Sequence, residues 1–286
     1  MVNLTSPSVI KEILEKSGFR FSKSLGQNFL IDDGVLNKMI EKSHINSDTN
    51  VLEIGPGFGT LTQRLCQSAK KVVSVEIDDT VIPILRENTQ EFENLKIVNA
   101  DVMKIDLKEL IQNEFGDESV KVVANLPYYI TTPIIMGLLE KELPISDIVI
   151  MIQKEVAERI AAKPGGKDYG ALTVAVNFYS NPELIVEVPP SSFIPQPKVS
   201  SSVISLKMLS EPRVTVSDKK KFFSLVKAAF GQRRKTLVNA IFNNGISGKS
   251  KDEIVMALND IGLNEKCRGE TLSIEDFALL SKELFD

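Results

Sequence analysis

The sequence predicts an α/β fold: a parallel sheet covered by helices on both faces, followed by a small all-helical C-terminal domain. Three observations predict it. From about residue 50, short apolar strands alternate with helix-length segments, the pattern of strand–helix–strand crossovers. The strands are continuous β-branched runs, as a sheet buried on both faces requires. After Ser210 the strand pattern stops, and helical spacing takes over to the end of the chain.

Residues 1–49 read as a helical and loop segment. Lys11, Glu12, Glu15 and Lys16 interrupt its apolar residues, so it lacks the core of a signal peptide. Strands are expected at 51–55 (VLEIG), 71–77, 95–99, 120–124 and 147–152, with helical spacing at 59–69, 79–92, 104–115 and 131–142. Residues 169–180 fit helix or strand, and periodicity does not decide between them. Residues 183–188 and 199–207 look like a closing pair of strands around a proline-rich stretch. Beyond them Ser217 can cap a helix that places Phe222, Phe223, Val226, Ala229 and Phe230 at helical spacing and breaks at Gly231. Leu237, Val238, Ile241 and Phe242 make a second apolar face, and two more helices fit 251–261 and 273–284. The expected division is a sheet-bearing domain over 1–209 and a helical domain over 210–286.

With 43% hydrophobic and 25% charged residues the 286-residue chain has an ordinary globular composition. No apolar run approaches the ~20 residues that span a bilayer. Cys66 and Cys267 lie far apart and match no metal or redox spacing, which suits a reducing cytoplasm. His44 is the only histidine and sits in a connecting stretch, which argues against a Ser-His-Asp triad or a histidine metal site. The net charge is −4, but it is unevenly spread. Residues 41–118 hold 8 Lys/Arg against 15 acids, whereas residues 196–235 hold 10 Lys/Arg against 2 acids. An acidic body with one strongly basic segment is a footprint of local nucleic-acid contact, although a charge run is also the ordinary dress of a solvated helix face.

The first strand runs into EIGPGFG, residues 53–59. Glycines at 55, 57 and 59 let the backbone turn sharply and bring a ligand against bare main chain at a helix N-terminus. The G-x-G-x-G spacing departs from the dinucleotide fingerprint, and Glu53 just before it would repel a pyrophosphate but suit a cationic ligand, such as an amino acid joined to a sulfonium. The second strand ends at Glu76, placed to accept from ribose hydroxyls, and the third ends at Asp101, suited to an adenine amino group. Each alone is weak. In this order, at the carboxyl ends of parallel strands, they point to S-adenosylmethionine and resemble the Rossmann-like class I methyltransferases.

The fourth strand ends in Asn125-Leu126-Pro127-Tyr128, which resembles the motif of transferases that methylate the amino group of adenine. That N6 is a poor nucleophile because its lone pair is delocalised into the ring. The side-chain oxygen of Asn125 and the carbonyl of Leu126 or Pro127 can hold its two protons and aim the lone pair at the methyl. Tyr128 can stack on a base swung out of its helix, and Phe193 is the natural second face of that sandwich. No strong general base is needed, in keeping with a chain almost without histidine.

Longer stretches carry a closer resemblance. SLGQNFLID (24–32), EIGPGFGTLT (53–62), VVANLPYYITTP (122–133), MIQKEVAERI (151–160), FIPQPKVSSSV (193–203) and AFGQRRKTLVNAI (229–241) are similar to the small-subunit ribosomal RNA adenine N6,N6-dimethyltransferases. The resemblance implies dimethylation of two adjacent adenines in the 3′-terminal hairpin loop of 16S rRNA, on the immature 30S subunit late in its assembly. It also implies Asn28 and Leu30 as cofactor-binding positions, beside Gly55, Gly57, Glu76, Asp101 and Asn125. Lys219, Lys220, Lys221, Arg233, Arg234 and Lys235 become candidate RNA contacts across two helical faces. A cytoplasmic monomer is expected, with no membrane partner. The alternatives are a 23S rRNA adenine methyltransferase of the macrolide-resistance type, which typically has Ile where Leu126 stands, and a non-catalytic assembly factor on the same fold.

Overall fold

The computed structural model describes residues 2–22, 25–232 and 234–286. Helix α1 (Pro7–Ser17) starts on a proline, where no N–H is needed, and ends at Gly18 with φ 65°. A two-residue strand β1 (Phe29–Leu30) precedes α2 (Asp33–Lys42), which Asp32 caps by accepting from the Val35 N–H. The regular alternation follows: β2 (Asn50–Ile54), α3 (Thr60–Ser68), β3 (Lys71–Glu76), α4 (Ile82–Asn88), β4 (Leu95–Asn99), α5 (Leu107–Phe115), β5 (Val120–Asn125), α6 (Thr131–Glu140) and β6 (Ile145–Gln153). Helices α7 (Lys154–Ile160) and α8 (Ala171–Tyr179) come next, then β7 (Ser180–Val188), β8 (Phe193–Ile194) and β9 (Ser201–Met208). Four helices end the chain: α9 (Lys219–Gly231), α10 (Leu237–Asn244), α11 (Lys251–Asp260) and α12 (Ile274–Phe285).

Seven strands form one sheet in the order β4-β3-β2-β5-β6-β9-β7. The pairings of β4, β3, β2, β5 and β6 are parallel, and β9 runs antiparallel to β6. Every residue of β2 is buried, including Asn50 and Glu53, which explains why this strand reads as a continuous run. From β2 the chain first adds strands on one side and then returns with β5 on the other. Such a reversal opens a crevice at the carboxyl ends of the two strands. Separately, β1 pairs with β8, placing Phe29 opposite Ile194 and Leu30 opposite Phe193.

The chain divides into two compact units, one of residues 1–157 and 183–208 and the other of 158–182 and 209–286. The expected single boundary at 210 therefore differs from the observed division. Tyr169, Val174 and Phe178 pack in one core with Phe222, Leu225, Ile241 and Phe277, and so α8 joins the terminal helices. Residues 169–180 gave an ambiguous pattern because Thr173 through Val176 are all buried, leaving no polar face to betray the helical period. Asp218, not Ser217, caps α9, accepting from the Lys220 and Lys221 N–H groups, while the Ser217 hydroxyl meets Asp286 at 2.6 Å. Among the described residues no helix is long and apolar enough to cross a membrane, and no acidic, His or Cys cluster could hold a metal.

Candidate active site

One pocket opens at the carboxyl ends of β2, β3, β4 and β5, and the segment around Asn28 borders it. Its cradle is the loop after β2, where Gly55, Gly57 and Gly59 take φ of 69°, 57° and 97°. A Cβ on Gly57 would lie 2.5 Å from Phe29 Cε1, and Phe29 is stacked on Phe58 at 4.0 Å. Bare backbone is thus required here by both conformation and space. Glu76 closes the far side of the loop: its Oε2 accepts from the Gly57 N–H at 3.2 Å and its Oε1 from the Asp78 N–H at 2.9 Å. Burial pushes its carboxyl above the ordinary range, against the pull of those N–H donors. Each oxygen keeps lone-pair capacity for a hydroxyl diol. Asp101 borders the same pocket, with Oδ1 accepting from the Met103 N–H and Oδ2 3.3 Å from Lys104 Nζ. Ile77 and Val102 add apolar wall beside these two acids.

Glu53 does not face this pocket, which corrects the expectation that it meets a cationic ligand. It is only 1% exposed, and its Oε2 accepts from the hydroxyls of Thr62 at 2.8 Å and Ser74 at 2.6 Å. Oε1 is the one buried side-chain polar atom without a partner among the described residues. Burial raises its pKa to about 7. The carboxyl is thus turned into the core, bonded to Thr62 and Ser74, and does not line the pocket.

Asn125 ends β5 at the opposite lip. Its Nδ2 donates to the backbone carbonyl of Asn28 at 3.0 Å, which leaves Oδ1 as the acceptor presented to the pocket. The neighbouring turn also resolves which carbonyl can join it. Pro127 O already accepts from the Ile130 N–H at 3.3 Å and the Thr131 hydroxyl at 3.1 Å. Leu126 donates its N–H to Met151 O, and no donor meets its carbonyl among the described residues. Of the two carbonyls the sequence offered, Pro127 O is thus occupied and Leu126 O is left open among the described residues.

Tyr128 is half-buried, with its hydroxyl 2.7 Å from Ser201 Oγ, and burial pushes its pKa up. Phe193 borders the pocket from β8 but is only 1% exposed and packs in the core of this unit. Leu30, paired with it across β1–β8, is likewise buried at the pocket wall. Asn28, also at the wall, donates its Nδ2 to Gly26 O at 3.0 Å. Sequence reasoning missed Gln27, whose Nε2 donates to Asp78 Oδ2 at 2.6 Å. It also missed Ser201, and Tyr129, which lies 57% exposed at the pocket. None of these carries a local signal: Gln27 reads as loop, Asp78 as a turn and Ser201 as the start of a strand.

The basic candidates lie in the helical unit. Lys219, Lys220 and Lys221 are exposed in the first turn of α9, where three cations oppose the helix dipole. Lys221 also lies over the Phe285 ring at 5.6 Å. Arg234 and Lys235 are exposed between α9 and α10; Arg233 lies outside the described residues. The two groups stand at opposite ends of the 13-residue α9, about 20 Å apart by helix rise. They form two separate basic groups rather than one patch.

The chain matches the family described as ribosomal RNA adenine dimethylase over residues 18–286. It is 52% identical to the ribosomal RNA small subunit methyltransferase A of Alkaliphilus metalliredigens, over 99% of both chains. Among solved structures, a dimethyladenosine transferase from Plasmodium falciparum is similar, with a TM-score of 0.75 and 28% identity over 88% of this chain and 95% of that one. The 23S rRNA methyltransferase ErmE follows with a TM-score of 0.69 and 26% identity over 90% and 99%.

Proposed function

The chain belongs to the ribosomal RNA adenine dimethylase family, and from that premise we propose how its pocket methylates adenine and on which RNA. It is an S-adenosylmethionine-dependent rRNA adenine dimethyltransferase. The small-subunit name of relatives at about half identity, against 26% for the large-subunit enzyme, supports small-subunit rRNA as the substrate. The finer reading is two adjacent adenines in the 3′-terminal hairpin loop, modified on the immature subunit by a cytoplasmic monomer.

The pocket fits the cofactor. A bare-backbone cradle at Gly57, a buried acid at Glu76 that keeps free lone pairs, and apolar wall at Ile77 and Val102 suit an amino-acid tail, a ribose and a flat base. Gly55, Gly57, Glu76, Asp101, Asn28 and Leu30 would hold it. Bound there, S-adenosylmethionine supplies an electrophilic methyl on a sulfonium.

The chain's own residues prepare the nucleophile. Asn125 Oδ1 and Leu126 O accept the two N6 protons of a base extruded into the pocket. Both acceptors are fixed before the base arrives, so no reorganisation is needed as positive charge develops on nitrogen. The proton becomes acidic once nitrogen is alkylated and leaves to solvent through these oxygens. Tyr128, held by Ser201, offers a ring face to the base, and Phe193 backs the wall. The second methylation uses the one N6 proton that remains, which either acceptor can hold. Lys219, Lys220, Lys221, Arg234 and Lys235, with Arg233 from the sequence, grip phosphates.

The single observation that carries this reading is the Asn125 amide, turned by Asn28 O so that an acceptor faces the pocket. Asn125→Ala should lower kcat by about 10²–10³ and leave the cofactor Kd nearly unchanged. Substantial activity in that variant would rule the mechanism out. Methyl-labelled cofactor offered with unmethylated small subunits, large-subunit RNA or an adenine-containing duplex DNA tests the substrate. Dimethyladenosine is expected only in the small-subunit hairpin, and label in large-subunit RNA overturns that choice.

A further inference from the structure

We infer that Gln27 and Asp78 are positioning residues for the methyl-transfer step, because their hydrogen bond sets the segment whose Asn28 carbonyl orients the Asn125 amide. The inference rests on the role proposed for Asn125. An asparagine amide presents either an oxygen or an NH2 to the same space, depending on a half-turn about its last torsion. Only the oxygen can accept from N6; the NH2 would meet the base donor to donor. Nothing inside Asn125 selects between them. The selection comes from Asn28 O, 3.0 Å from Nδ2 and 97 residues away in sequence. With that acceptor in place the flipped amide would set oxygen against oxygen.

What holds Asn28 O is therefore part of the base site. Downstream, β1 is fixed to β8. Upstream, the segment is clasped to the end of β3: Gln27 Nε2 donates to Asp78 Oδ2 at 2.6 Å, and Gln27 Oε1 accepts from the Ser22 N–H at 2.8 Å. Asp78 is committed on its other side. Its Oδ1 accepts from the Thr80 N–H at 3.0 Å and the Thr80 hydroxyl at 2.6 Å, and its own N–H donates to Glu76 Oε1 at 2.9 Å. A hydrogen-bonded path thus runs Glu76, Asp78, Gln27, then through the backbone to Asn28 and across to Asn125. It links the acid at the cofactor side of the pocket to the amide at the base side. A buried or half-buried chain of this kind has a defined direction of donation at every link. The Gln27–Asp78 polarity can accordingly be reversed without changing shape.

That reversal is the test. Gln27→Glu alone sets two carboxylates against each other, and Asp78→Asn alone sets two NH2 groups against each other, because Thr80 keeps the oxygen at position 78. The double variant Gln27→Glu/Asp78→Asn restores one donor and one acceptor, and position 27 still accepts from the Ser22 N–H. The full-length chain is assayed with S-adenosylmethionine and unmethylated small subunits, both saturating; cofactor Kd and the melting curve are measured on the same samples. Each single variant should lower kcat about tenfold even at saturating cofactor, and the double variant should return to within about twofold of the parent. A merely structural clasp would move melting or cofactor Kd and leave saturated kcat alone, and that result overturns the inference. A double variant that melts normally but stays as slow as the singles overturns it too. Should both singles fail to fold, Gln27→Ala replaces them, and parental kcat in it counts against the inference. Asn125→Ala, run alongside, separates the two levels. Activity there removes the mechanism itself, whereas loss there with parental kcat in the clasp variants removes only the role of Gln27 and Asp78.

Discussion

Glu53→Gln should make the protein less sensitive to alkali, by an amount the structure sets. The carboxyl is fully buried and its pKa is raised from 4.5 to about 7, chiefly by desolvation and against hydrogen bonds from Ser74 and Thr62. Between those two values the native state keeps a proton that the unfolded chain has released. Stability therefore falls as pH rises through this window and levels off above it. The gap between 4.5 and 7 corresponds to about 3 kcal/mol at 1.36 kcal/mol per pH unit. Glutamine keeps one oxygen for Ser74 and Thr62 and sets its NH2 where Oε1 has no partner, as the protonated acid does. Urea unfolding of parent and variant without cofactor at pH 5, 6.5 and 8 reads the effect, and the difference between the two proteins cancels the titration of distant groups. Relative to pH 5, the variant should gain about 2–3 kcal/mol on the parent by pH 8. This comparison is independent of any fixed cost of the amide. A difference that stays flat from pH 5 to 8, or that moves the other way, would refute the claim that Glu53 is a desolvated acid with no ligand-facing role.

Gly57→Ala combines a left-handed backbone, about 1–2 kcal/mol for a side-chain-bearing residue, with a 2.5 Å clash against Phe29; equilibrium dialysis should show cofactor affinity reduced at least ~30-fold, and parental affinity would mean the loop does not cradle the ligand. Arg234→Ala with Lys235→Ala should lower the slope of log K for RNA against log salt by about 2, with cofactor Kd unmoved; an unchanged slope would place the phosphates elsewhere. Tyr128→Phe and Ser201→Ala should each lower kcat a few-fold, and the double variant no further, because both remove the same 2.7 Å contact; additive losses would separate the two residues.

The fold was legible wherever one face or one period dominated. The strands from 50 to 153 announced themselves by continuous apolar and β-branched runs, and the glycine loop by three residues that tolerate positive φ. Residues 169–180 were not legible, since a helix buried on all sides has no polar stripe. The division into compact units departs from the expected boundary for a related reason. The chain leaves the sheet for α8 and then returns to β7, and only the packing of Phe178 on Phe222 and Phe223 shows which core that excursion serves. The cap at Asp218 in place of Ser217 is a competition between neighbours, decided by Ser217 turning to Asp286 at the far end of the chain.

At the site, residue types were legible and their orientations were not. Strand-end acids, the Asn125 turn and the glycines could be ordered by position, because the carboxyl ends of parallel strands meet in one crevice. Glu53 belongs to the same run of sequence, yet the strand's alternation sends it into the core, where it meets Thr62 and Ser74 and does not line the pocket. The choice between Leu126 and Pro127 was open in the sequence, and only the fold shows that Ile130 and Thr131 occupy the second carbonyl, which favours the first. The direction of the Asn125 amide depends on a carbonyl 97 residues earlier. A motif fixes which groups are present, whereas donor and acceptor polarity is set by partners that the fold brings from elsewhere. A chain could therefore keep the Asn125-Leu126-Pro127-Tyr128 motif intact and still lose methyl transfer, if the Gln27–Asp78 clasp let Asn28 O move and the amide turn over.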